Sequence, residues 1–219
     1  MKTDDRIWDS NFLIFGQFSK VWGGEKLHKF YAKPAGTRIG ESWEISGVSG
    51  KISSISQRDI KEKSLHDLIQ SFGPDLLGQR VYETYKGEFP LLFKFIDAKE
   101  DLSVQLHPDD TIAKQYHDSF GKTEMWYVLQ ADPEARLVIG FKPEVTLLDY
   151  KQAVERGNIT HLLNEVPVQP GDAFFIAPGL VHAIGGGVVL AEIQQTSDVT
   201  YRIYDWDRPD VNGAFRELH

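Results

Sequence analysis

Four short apolar stretches, Val166–Gln169, Ala173–Ala177, Val188–Gln194 and Val199–Trp206, are separated by Pro170-Gly171-Asp172, Pro178-Gly179 and Gly185-Gly186-Gly187. Each stretch is strand-sized, and each break carries residues that turn the chain. The same rhythm runs upstream through Phe89–Asp97, Leu102–His107, Glu124–Gln130 and Arg136–Phe141. The last two are expected to form a hairpin around Ala131-Asp132-Pro133, and the glycine triplet is expected to be a flexible hairpin turn. The triplet lacks the Gly-Lys-Ser/Thr ending of a phosphate loop. Helical patterning is confined to insertions near 59–73, 109–120 and 146–163. Ser64 with Asp67 and Thr146 with Asp149 stand at capping-box spacing, and Gly73-Pro74 is expected to stop the first of these helices. Many short strands joined by Gly/Pro turns, with a few helices inserted, give a mainly β chain folded as a jelly-roll β-sandwich. No internal repeat or linker divides residues 1–219, so one domain is expected.

Composition agrees with a globular protein. Of 219 residues, 41% are apolar and 26% charged, and 13 Phe, 8 Tyr and 5 Trp supply large surfaces to bury. The formal net charge of −8 argues against a general nucleic-acid binder, while leaving room for a small anion beside local cations. The absence of cysteine excludes disulfides, thiolate ligands and a cysteine nucleophile, so a bound metal must sit on nitrogen and oxygen. Met1–Asp9 holds no sustained apolar stretch, so neither a leader nor a membrane span is expected, and the default location is the cytoplasm.

Several residues break their local pattern. In Leu102–His107 the even positions are apolar and the odd ones polar, which puts Ser103, Gln105 and His107 on one strand face. That face is either a solvent-facing edge or the lining of a polar interior. Glu124 opens a run that is apolar on both faces from Met125 onward, so its strand reads as buried on both sides. A carboxylate there requires a partner, either Lys122 two residues back or a metal. His182 follows the Pro178-Gly179 turn. Two histidines and a carboxylate on separate strands make a donor set for Zn²⁺ or Fe²⁺, to which Gln105 can add a neutral oxygen. Glu192 and Arg202 lie on later strands, where structural salt bridges would also account for them. His28, His66, His117, His161 and His219 fit no such pattern and read as surface residues.

Leu92-Phe93-Lys94, Ser103–Pro108, Gly121–Tyr127, Pro178–His182 and Thr200–Arg208, in this order, resemble the motifs of class I mannose-6-phosphate isomerases of the short bacterial branch, zinc enzymes of the cupin superfamily. The resemblance implies a cupin-type jelly roll with one Zn²⁺ per chain on Gln105, His107, Glu124 and His182. It further implies Arg202, Lys122 and Glu192 as catalytic groups, with Lys94 and Ser103 near the sugar phosphate. The implied reaction is the interconversion of mannose 6-phosphate and fructose 6-phosphate through a cis-enediol. The implied partner is a small sugar phosphate, with no nucleic acid or membrane, on a monomer or homodimer. The chain departs from the common cupin signature, with Gln at 105, Glu124 placed 17 residues after His107, and a shortened Pro-Gly-x-x-His turn. Family members continue into a C-terminal β-domain, which is expected to be absent here. A metal-dependent cupin enzyme of another kind and a sugar-binding cupin without catalysis are the rival readings.

Overall fold

A computed structural model describes residues 13–57 and 59–219; the Met1–Asp9 stretch discussed above lies outside the described residues. Two antiparallel sheets form a sandwich. The larger has the order β10 (Ala173–Ile176), β7 (Glu124–Ala131), β12 (Val188–Gln195), β5 (Leu91–Asp97), β3 (Ile39–Ser46) and β2 (Gly16–Gly24). The smaller has the order β13 (Tyr201–Tyr204), β6 (Val104–Leu106), β11 (His182–Ile184), β8 (Arg136–Phe141) and β9 (Leu163–Pro167). A small ladder pairs β1 (Leu13–Ile14) with β4 (Ser54–Ile55). The mainly β sandwich with inserted helices is therefore as the turn pattern predicts.

The helices begin where their caps place them. Ser64 and Thr146 each accept from the backbone N–H three residues on, while Asp67 and Asp149 reach back, starting α2 (Leu65–Phe72) and α6 (Leu147–Glu155). Helix α1 (Lys26–Tyr31) follows β2, and α5 (Asp110–His117) is capped by Asp109. Gly73 ends α2, but Pro74 then opens α3 (Pro74–Leu77), and α4 (Gln79–Thr84) follows. The helical insertion thus runs beyond residue 73, because a proline that cannot continue one helix is well suited to the first turn of the next.

Both expected hairpins are corrected. β7 and β8 lie in opposite sheets, as do β11 and β12, so the turns at 132–135 and 185–187 are crossovers. The two crossovers bond to each other, Asp132 N–H to Gly187 O at 3.1 Å and Gly185 N–H to Arg136 O at 2.9 Å. A Cβ at Gly185 would lie 2.2 Å from the Arg136 carbonyl, so this close approach requires glycine. Strand β7 is also not buried on both sides: Met125 is 40% and Tyr127 45% exposed, beside Phe175 of β10. Its inner face carries Glu124, Trp126 and Val128, all buried.

The interior between the sheets is apolar at one end, where Ile96, Val128, Leu137, Ile184, Val188 and Leu190 pack together. At the other end the inward positions of the same strands are Lys94, Glu124, His182 and Glu192, all buried. That polar end is where the candidate residues converge.

Candidate metal centre and active site

His107 follows directly on β6, Glu124 starts β7 and His182 starts β11, and one ligand atom of each lies within 4.8 Å of the others. All three are buried. Glu124 Oε1 is 3.3 Å from His107 Nε2, and Oε2 is 3.8 Å from His182 Nε2. The far nitrogen of each ring is fixed by the backbone, His107 Nδ1 at 2.9 Å from Val199 O and His182 Nδ1 at 2.9 Å from Leu180 O. A proton on each Nδ1 leaves both Nε2 lone pairs facing Glu124, the arrangement a metal requires.

Electrostatics favour the same protonation state. Burial, reinforced by the Lys122 charge, pushes the His107 imidazolium down to about 3. Burial likewise lowers His182. For Glu124, burial acts upward but is outweighed, with the neighbouring Lys122 charge foremost, and the carboxyl is held well below the usual range. Two neutral imidazoles and an ionised carboxylate are the chemical forms that bind a divalent cation. Neither Glu124 oxygen accepts a well-directed hydrogen bond, although both are buried. The donor set thus fits a metal of zinc type.

Gln105 sits beside the triad, its amide nitrogen 3.5 Å from His182 Nε2 and its oxygen accepting from Ser103 Oγ at 3.0 Å. Offering the oxygen to the triad takes a turn of the amide. Ser103 is buried and tied to Gln105, so the polar face of residues 103–107 lines the interior and is not a solvent edge. Lys122 Nζ is 3.1 Å from Glu124 Oε1 and 3.3 Å from His107 Nε2.

A second group lies across the inner face of the larger sheet, where register sets Trp126 beside Glu192, Glu192 beside Lys94, and Lys94 beside Trp43. Lys94 Nζ is 2.7 Å from Glu192 Oε1, and Trp126 Nε1–H donates to Glu192 Oε2 at 2.9 Å. Burial and the Glu124 charge raise Glu192 against the opposing pull of Lys94 and Lys122. Burial acts downward on Lys94, but Glu192, Glu41 and Glu124 outweigh it and raise the ammonium. Arg202 stands apart at the rim. It pairs with Gln105 across β13 and β6, and its guanidinium donates to Glu217 O at 3.0 Å.

Three residues of this site escape the sequence reading. Glu41 accepts from Trp43 Nε1 at 2.9 Å and faces Lys20 at 3.2 Å. Burial acts upward on it, but Lys94 and Lys20 prevail and lower it to about 2. Trp126 ties Glu192 to the triad, and Gln194, buried and paired in register with Glu124, keeps its Oε1 without a partner. The alternation in Glu41-Ser42-Trp43 is the one available signal for the first. The five remaining histidines are exposed, as expected.

Residues 12–152 match the catalytic domain of type I phosphomannose isomerase. The chain belongs to the type I phosphomannose isomerase family. It is 39% identical over 210 residues to a mannose-6-phosphate isomerase of Streptococcus mutans, a match covering 95% of this chain and 64% of that protein. It is 37% identical over 206 residues to the mannose-6-phosphate isomerase ManA of Bacillus subtilis, covering 91% and 62%. The crystal structure of a mannose 6-phosphate isomerase from Bacillus subtilis superimposes with a TM-score of 0.85 at 33% identity, over 95% of this chain and 65% of that one. A zinc-bound mannose 6-phosphate isomerase shares the fold, with a TM-score of 0.67 at 20% identity. The sandwich is thus the cupin-type jelly roll of the phosphomannose isomerases, and the chain spans somewhat under two thirds of the length of these curated relatives. Among the described residues, no helix is long and apolar enough to cross a membrane.

Proposed function

We propose that the chain catalyses aldose–ketose isomerisation of mannose 6-phosphate and fructose 6-phosphate, with one zinc ion held by His107, Glu124 and His182 and, after its amide turns, by Gln105. The observation that carries this reading is an ionised, buried Glu124 between two imidazoles whose Nε2 atoms face it. Membership of the type I phosphomannose isomerase family supports the substrate assignment.

The metal, when bound, supplies Lewis-acid polarisation of the substrate carbonyl. The chain's own residues do the rest. Glu192 carries the proton between C2 and C1 of the open-chain sugar across a cis-enediol, a role that suits a buried carboxylate whose proton affinity is raised. Lys122 and Arg202 bring positive charge to the oxygens that become negative. Lys94 and Ser103 serve the sugar-phosphate side, with Lys94 also steadying Glu192 through their ion pair. Closely spaced strands fix these groups, so little reorganisation accompanies the proton transfer.

The test is conversion of fructose 6-phosphate to mannose 6-phosphate by the 219-residue chain, before and after chelation and with Zn²⁺ restored. Turnover that chelation abolishes and zinc restores is expected. A folded, zinc-loaded chain with no turnover on either sugar overturns the isomerase reading and leaves a sugar-binding cupin without catalysis.

A further inference from the structure

We propose that Trp126 is a positioning residue of the reaction, its indole N–H orienting the Glu192 carboxylate while its ring braces the metal ligand His182. This rests on the reading of Glu192 as the proton carrier. Trp126 is 1% exposed. On one side its Nε1–H donates to Glu192 Oε2 at 2.9 Å. On the other its ring meets the His182 imidazole edge-on, with centroids 5.3 Å apart and an interplanar angle of 81°. One rigid side chain therefore touches both halves of the site, the metal ligands on one side and the acid–base group on the other.

The geometry leaves Glu192 few alternatives. Its Oε1 faces Lys94 from β5, 2.7 Å away, without a well-directed hydrogen bond, so the indole supplies the directional contact and lysine the charge. Glu124 and Trp126 from β7 and Lys122 just before that strand complete the groups acting on it. An indole has a single donor and no acceptor, so it bonds to the carboxylate through a fixed direction and cannot take its proton. A donor to the ionised form also favours that form, which opposes the upward push of burial and Glu124.

Trp126→Phe keeps a large ring against His182 and removes the donor. The expected result is a fall in kcat of roughly 10- to 100-fold, the scale of losing a hydrogen bond to a charged group. KM for fructose 6-phosphate and zinc content should stay at wild-type values. The acid limb of kcat/KM should move to higher pH, because the carboxylate has lost a contact that favours ionisation. A purely structural role for the ring would leave that limb in place.

Glu192→Gln, assayed in parallel, separates the two readings. If Glu192→Gln is inactive while Trp126→Phe keeps wild-type kcat and acid limb, the Trp126 proposal fails alone. If Glu192→Gln keeps wild-type kcat, the proton-carrier reading fails, and this proposal with it. A readout in the unmodified protein guards against a misfolded Trp126→Phe variant. With ¹⁵N-labelled tryptophan, the Trp126 indole resonance should follow a carboxylate titration that is missing in Glu192→Gln. An indole resonance that ignores pH in the wild-type chain overturns the contact.

Discussion

The two ends of the sandwich interior are built from the same strands and obey opposite rules. Along β7 the inward residues pass from Val128 to Trp126 and Glu124, along β12 from Leu190 to Glu192 and Gln194, and along β11 from Ile184 to His182. One end excludes polar groups and is held by apolar burial. The other holds Glu124, Glu192, Lys94 and Lys122 within the same sheet framework, at the cost of desolvating four charges. The apolar end is the platform that lets the polar end exist, since strands gripped at one end keep the direction of the side chains at the other.

The contrast can be broken at either end. The largest effect is expected from His182→Ala, which removes a proposed ligand: the proposed isomerase turnover should drop by about a thousandfold or more, with loss of the proposed zinc read by gel filtration and elemental analysis. Retained zinc and turnover would remove His182 from the centre. Next comes Lys94→Met, which strands the Glu192 carboxylate in a buried position. It should lower unfolding free energy by about 3–5 kcal/mol in urea titrations, and adding Glu192→Gln should recover part of that loss. Leu190→Ala, at the apolar end, is expected to cost about 2–5 kcal/mol while kcat of the folded fraction stays at the wild-type value. A matching fall in kcat would mean that the two ends are not separable.

The smallest effect concerns pH. The charges of Lys94 and Lys20 overcome burial and hold the Glu41 carboxyl near 2 in the folded chain, below its unfolded value. Its contribution is therefore fully present above the ordinary carboxylate range and fades as pH falls toward 2, on the order of 3 kcal/mol in all. Stability curves of wild type and Glu41→Gln should converge between pH 5 and pH 2.5. Parallel curves would show that Glu41 is not held in that state.

How much of this was legible in sequence follows from what local pattern can encode. Strands β5–β8, β10, β12 and β13 and helices α2, α5 and α6 were readable because apolar periodicity and capping residues are local, and β8 spans the residues its pattern marks. Strand β9 instead starts at Leu163, ahead of the expected Val166–Gln169, and β11, which carries His182, matches no expected stretch. Pairing was not readable at the two crossovers, because local pattern says that Arg136–Phe141 and Val188–Gln194 are strands but not which sheet receives them. The face of Ser103, Gln105 and His107 was visible as polar, while its inward direction was not, since the same alternation suits an outer face. The triad was legible as a donor set. Glu41 and Trp126 were missed because the groups that give them meaning lie on other strands, Lys20 and Lys94 for Glu41 and Glu192 for Trp126, and only register brings Trp126 to Glu192.

The placement of β12 carries a consequence for how the chain is made. This strand lies between β5 and β7, both of which leave the ribosome well before it, and β13, later still, pairs with β6. The larger sheet cannot close over its middle until residues up to 195 have emerged, and His107 receives its orienting carbonyl only from Val199. Such far-separated pairings slow folding, because the entropy of closing long loops is spent before the contacts form. During synthesis, therefore, the frame around His107 and Glu124 is completed only by its last-made strands, after His182 has already emerged.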